Sequence, residues 1–182
     1  MAEIFEVRRH SLRGGGPGLS PEGLALAQQT APTLVGRFAA AYSSPKQRAI
    51  ETLAAFGFTA YTIVPEFSTL PATLAAHDHH VDALVERTQC SVLEAYMAIP
   101  ATHLILEAFG AACLDRICTL AAKLPHGKNA IAVSHGGSIE PAVLAAMPDW
   151  TLESMGGDLA ECEGALFHFD GGVFKGVDIV RR

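Results

Sequence analysis

Ile4-Phe5-Glu6-Val7-Arg8-Arg9-His10-Ser11, read as IFEVRRHS, is the stretch that decides the fold. From Ile4 to Arg9 apolar and polar residues alternate, the two-residue period of a β-strand, and the pattern stops at His10. The next residues, SLRGGGPGLSPEG, are rich in glycine and proline and form a loop. Ser20-Pro21-Glu22 then supplies an N-cap, a first-turn proline and an acid for a helix running to about Thr33. A strand that passes through a glycine-rich loop into a helix is the first unit of an α/β fold. Arg8, Arg9 and Arg13 also crowd around one histidine in a chain of net charge -6. Cations this close call for a negative partner, either a neighbouring carboxylate or a bound anion.

The same alternation of elements continues along the chain. Arg37 to Tyr42 reads as a second strand, Ser43-Ser44-Pro45 as another strand-to-helix junction, Lys46 to Phe56 as a helix and Tyr61 to Val64 as a third strand. Leu70 to Leu124 is rich in Ala and Leu, lacks a clear strand and predicts two or three helices, a helical insertion at about 70–124. Asn129 leads into the apolar run AIAVSH, which ends at His135, and GGSIEPAVLAAM then turns into a short helix. ALFHFDGGVFKGVDIV holds two alternating segments around Asp170-Gly171-Gly172, a C-terminal β-hairpin. The expectation is a single domain over 1–182: α/β, with a mainly parallel central sheet and helices on both faces. In such sheets ligands gather beyond the carboxyl ends of the strands. His10, Ser43-Ser44 and His135 all fall just past predicted strand ends.

Composition narrows the function classes. A chain of 182 residues, 49% hydrophobic and 18% charged, is long enough to bury roughly 70% of the surface its unfolded form exposes. No stretch of eighteen residues lacks polar interruption, and Glu3 and Glu6 break up any signal-like apolar segment, so a cytoplasmic protein without membrane partners is expected. With 19 acidic against 13 basic residues and no Lys/Arg run, nothing attracts a nucleic acid backbone, whereas a small anion needs only a local basic pocket. Cys90, Cys113, Cys118 and Cys162 form no C-x-x-C pair and no zinc spacing, and read as reduced, mostly buried thiols.

Three ordered blocks carry the chemistry: VRRHS at Val7–Ser11, SSPKQRAIET at Ser43–Thr52 and VSHGGSIE at Val133–Glu140. Taken together they resemble the histidine phosphatase superfamily, or phosphoglycerate mutase-like family. The resemblance implies that fold, with His10 as nucleophile, Arg9 and Arg48 binding the phosphoryl group and His135 completing the pocket as a donor to it. The physical requirements agree. Phosphoryl oxygens repel an incoming nucleophile, so fixed cationic donors must spread their charge as the in-line transition state develops. Guanidinium forks suit phosphate, and a neutral imidazole can attack phosphorus near neutral pH, dividing hydrolysis into two displacements. No metal or cofactor is implied. The substrate would be a small phosphorylated metabolite or a phosphoprotein.

The chain departs from the family pattern at two places. Ser11 stands where relatives have glycine. Where many relatives place a glutamate that protonates the leaving oxygen, this chain has VPEFSTLPATLAAHDHH, with Leu70-Pro71 at the expected leucine-glutamate pattern. Glu66 is the first candidate for that acid, with Asp78 and Glu140 as weaker alternatives. Arg13 serves either the phosphate or a second negative group on the substrate, or is an exposed loop arginine. Arg8, on the other side of the alternating strand, is expected outside the pocket. His77-Asp78-His79-His80 reads as a polar helix end or substrate-facing lid before it reads as a metal site. Three activities remain open: a phosphatase, a phosphoglycerate mutase that returns the phosphoryl group, and a weakly catalytic phosphate-binding module.

Overall fold

Residues 3–182 are described by a computed structural model. Strands β1 (Glu3–Arg9), β2 (Phe38–Ser43), β3 (Thr62–Ile63), β4 (Asn129–Ser134), β5 (Gly164–Asp170) and β6 (Val173–Val180) form one sheet in the order β3-β2-β4-β1-β5-β6. The first four run parallel, while β5 is antiparallel to β1 and β6 to β5. The expected mainly parallel sheet and C-terminal hairpin are borne out. The helices are α1 (Pro21–Thr30), α2 (Gln47–Ala55), α3 (Asp78–Thr88), α4 (Val92–Ala98), α5 (Pro100–Ala121) and α6 (Gly136–Ala146).

Local signals explain where these helices start. The Ser20 hydroxyl accepts from the Gly23 amide at 3.0 Å, with Pro21 in the first turn of α1. At α4, Ser91 and Glu94 close a capping box, and Pro100 opens α5. The three helices between β3 and β4 match the expected number. They are more than an insertion, however: α5 spans 22 residues and packs Leu106, Cys113, Ile117 and Leu120 into the main core. It is therefore the crossover helix that a parallel β3-to-β4 connection requires.

The strand alternation sorts the two sheet faces into two cores. Phe5, Val7, Ala130, Ala132 and Phe167 face the larger core with α5 and α6. Ile131, Val133 and Ala41 face the smaller one with Ala27 of α1 and Leu53 of α2. Glu6 and Arg8 alternate with Phe5 and Val7, yet neither reaches solvent: Arg8 is 1% exposed. The Arg8 Nε donates to Glu6 Oε1 at 2.5 Å and its Nη1 to the Cys162 carbonyl at 3.0 Å, while Glu6 Oε2 accepts from the Val35 amide. For Arg8 the negative partner is thus a carboxylate two residues away on the same strand face.

Candidate active site

Three parallel neighbours place the site. Along β2-β4-β1 the register pairs Ser43 with Val133 and Ser134 with Arg9, so the strands end side by side. One residue further, the His10 amide donates to the Ser134 carbonyl and the Ser44 amide to the Val133 carbonyl, both at 2.9 Å. His10, Ser44 and His135 therefore emerge together at one sheet edge. The two imidazole centroids lie 5.0 Å apart, edge to face. His135 is also the N-cap residue of α6, so the positive end of that helix dipole opens at the same point.

Hydrogen bonds fix the protonation pattern. The His10 Nδ1 lies 2.7 Å from the Ser11 carbonyl, which can only accept, so Nδ1 carries the proton and Nε2 the lone pair. Arg48 Nε donates to that Nε2 at 2.9 Å. Arg48 Nη2 lies 3.2 Å from His135 Nδ1, and a guanidinium can only donate. His135 thus holds its proton on Nε2, which donates to the Ser44 hydroxyl at 2.8 Å. Burial, followed by the Arg48 charge for His135 and the Arg48 and Arg9 charges for His10, lowers both imidazoles, His10 to about 4 and His135 to about 3. Both are neutral at physiological pH. Arg48 is itself lowered by burial and by the nearby charges of Arg13 and Arg9.

Ser11 fits the tight turn that glycine was expected to occupy. It is fully buried, its hydroxyl donates to the Gly23 carbonyl at 2.7 Å, and its amide donates to Thr52 Oγ1 at 3.0 Å. Gly23 makes this approach possible, since a Cβ there would lie 2.1 Å from the Leu12 carbonyl oxygen.

A cavity of about 310 Å³ opens over these groups, lined by Arg9, His10, Arg48 and His135 on one side and by Leu70, Val92, Leu93 and Asp158 among the rest. A larger, mostly apolar cavity of about 430 Å³ between α4, α5 and α6 contains none of the histidine or arginine groups of the site. Arg9 reaches the first cavity over Gly136, where a Cβ would come within 3.3 Å of its Cδ. Its Nη1 donates to the Leu159 carbonyl and its Nη2 to Glu161 Oε1 at 2.9 Å; Nε is buried without a partner among the described residues. Arg9 therefore enters the site with its charge already balanced by a carboxylate.

The acid candidates are rearranged. Glu66, the first candidate for the proton donor, is not among the cavity's lining residues. The turn Pro65–Phe67 buries Phe67, and the Ser134 and Ser138 hydroxyls hold the Phe67 and Ser68 carbonyls, so the Glu66 side chain faces Arg116 of α5 at 3.6 Å. Asp78 accepts from the Tyr96 hydroxyl at 2.6 Å and also lies off the cavity wall. Glu140 does line it, but is 1% exposed: Oε1 accepts from the Leu159 amide at 2.9 Å, Oε2 has no partner among the described residues, and burial raises the carboxyl to about 8. Arg13 sits on an exposed loop beside Arg48 and does not line the cavity. Among the described residues no group of three or more His, Cys, Asp or Glu side chains is arranged to hold a metal, His77-Asp78-His79-His80 included.

Sequence reasoning missed Ser44 as a histidine partner, together with Asp158, Leu159 and Glu161. The latter three precede β5. Because β5 runs antiparallel to β1, its beginning lies beside the end of β1: the Arg9 amide donates to the Glu163 carbonyl and the Cys162 amide to the Arg9 carbonyl. The hairpin was visible in the sequence, but its pairing partner was not.

The sheet order and its crossover helices make the phosphoglycerate mutase-like α/β fold. The model of the histidine phosphatase superfamily (branch 1) matches residues 6–68, about a third of the chain. No curated protein sequence matches the chain. Among solved structures, phosphoserine phosphatase of Entamoeba histolytica with 3-phosphoglyceric acid is similar over 99% of this chain and 98% of its own, at 16% identity and a TM-score of 0.74. A mycobacterial glucosyl-3-phosphoglycerate phosphatase is similar over 98% and 97%, at 14% identity and a TM-score of 0.63. Phosphoglycerate mutase of Plasmodium falciparum is similar over 100% and 90%, at 14% and 0.54. At these identities the likeness is one of fold.

Proposed function

We propose that the chain is a phosphatase that hydrolyses small phosphomonoesters through a phosphohistidine at His10, with no metal taking part. The observation that carries this reading is the His10 imidazole, neutral, fixed through Nδ1–H to the Ser11 carbonyl, with the Nε2 lone pair directed at Arg48. Similarity in fold to phosphatases supports it, and the names of those relatives point to small phosphorylated metabolites.

In the first step Arg48 transfers its N–H groups from the two imidazoles to phosphoryl oxygens, and His10 Nε2 attacks phosphorus in line. The P–N bond forms as the P–O bond to the leaving group breaks, and the leaving oxygen takes a proton from a solvent water that enters the open cavity. Exchange with solvent water takes the proton off His135 Nε2 and returns one to Nδ1, while the Ser44 hydroxyl, which can donate as well as accept, rotates to donate to the bared Nε2. The imidazole then presents Nδ1–H to the phosphoryl group, the donor role expected of it. In the second step water attacks phosphorus, the P–N bond breaks, Nε2 regains its lone pair and inorganic phosphate leaves.

His10→Ala should remove both turnover of an aryl phosphate and acid-labile labelling of the protein by labelled substrate, while circular dichroism remains that of the parent. Undiminished turnover in that variant would rule out the mechanism. Sustained isomerisation of 3-phosphoglycerate with a bisphosphoglycerate primer, without matching phosphate release, would make the chain a mutase instead.

A further inference from the structure

Resting on the phosphatase reading, we infer that Asp158 and the apolar residues Leu70, Val92 and Leu93 bias the site toward phosphomonoesters whose leaving group is uncharged or cationic, and against those bearing a carboxylate or a second phosphate. His10, Arg48 and His135 line the cavity together and take the phosphoryl group. Leu70 packs against Gly137, whose Cβ position lies 2.9 Å from it, and with the exposed Val92 and the buried Leu93 of α4 it offers an anion no donor, so that among the described residues Thr69 brings the one uncharged side-chain hydroxyl to the lining. The exposed carboxylate of the lining is Asp158, next in the chain to Leu159, whose carbonyl accepts from Arg9.

The cations offer no surplus for a second anion in the leaving group. Two uncharged imidazoles contribute no net charge, and Arg9 is already paired with Glu161. Among the described residues Arg48 is thus the one cavity-lining cation without a carboxylate partner, and it faces a phosphoryl dianion. Arg13 and Lys46 add positive potential at Arg48 and His135 from outside the cavity lining. Salt screens charges little within one Debye length, ~8 Å at physiological salt, so Asp158 acts on a leaving group held in the same cavity. A carboxylate on that group meets a like charge and apolar side chains; an ammonium meets an opposite charge.

The test uses esters of matched primary alcohols, so that any change in proton delivery cancels: glycerol 3-phosphate, 3-phosphoglycerate and phosphoethanolamine, compared by kcat/KM in the whole protein. The neutral and cationic esters should exceed 3-phosphoglycerate by about fivefold or more, a Coulombic effect of the order expected at a partly screened site. D158N should narrow that ratio and D158K should invert it. A parent protein that favours 3-phosphoglycerate, or a ratio unmoved by both variants, overturns the inference. If none of the three esters is hydrolysed, the inference is again overturned, while His10-dependent turnover of an aryl phosphate would leave the phosphatase reading standing. Absence of that turnover as well removes both.

Discussion

His10 is held in its working state by surroundings that are legible only in part from the chain. The strand, its end at His10 and the resemblance all mark the residue, but its state depends on burial and on Arg48 and Arg9. These lower the imidazole from 6.5 to about 4. The acid limb of kcat/KM, corrected for the substrate's own ionisation near ~6, should therefore fall with a midpoint near 4, the value of the free protein. A limb at 6.5 would mean that His10 is solvated and unpaired. Glu66 shows the opposite limit. Residue type and proximity to β3 selected it, but side-chain direction in a one-turn helix depends on what that turn buries, and here Phe67 turns inward and Glu66 outward. Glu140 and Asp158 line the cavity instead. Their placement depends on contacts between segments far apart in the chain, which local patterning does not encode.

Among the elements, the pair α5 and α6 is set by one glycine. A Cβ at Gly110 would lie 2.3 Å from the Pro141 carbonyl oxygen, a backbone atom that cannot rotate away. Gly110→Ala should push α6 off α5, with a loss on the order of 2 kcal/mol, read by chemical denaturation. Because His135 is the N-cap residue of α6, the substitution should also lower turnover. A variant as stable as the parent would show that the helices can separate without strain. The alternating pattern of β1 made the strand plain and its hidden face less so. Polar residues at Glu6 and Arg8 usually mark a solvated face, but here they are a buried ion pair covered by the second core. Likewise the Ala- and Leu-rich middle announced helices but could not distinguish an appended insertion from α5, whose length and buried residues make it part of the sheet's own cover.

Across the whole molecule the site makes opposing demands on pH. His10 and His135 have folded values below the unfolded value of 6.5, so the unfolded chain binds their protons first as pH falls. The stability associated with their neutral forms is complete above 6.5 and is lost progressively toward about 4 and about 3. Glu140 behaves in the reverse sense. Its folded value is raised from 4.5 to about 8, so the unfolded chain releases its proton first, and stability falls as pH rises between those values. Together the three groups place their maximum contribution near pH 6.5. Glu140→Gln keeps a neutral side chain of the same shape and should flatten the alkaline slope, gaining on the order of a few kcal/mol over the parent near pH 8. Thermal or urea unfolding across pH 5–9 reads the difference. Parallel curves for the two proteins would place Glu140 in water.

The antiparallel entry of β5 beside β1 also bears on how the protein is made. His10 and Arg9 leave the ribosome about 150 residues before the segment that holds Arg9, from Leu159 to Glu163. Until then β1 has β4 on one side and an open edge on the other, carrying Phe5 and Val7. A chain stopped before β5 would present that edge for pairing with a second copy. The β5–β6 hairpin thus both holds Arg9 at the pocket and covers an edge of β1 that stays open earlier in synthesis.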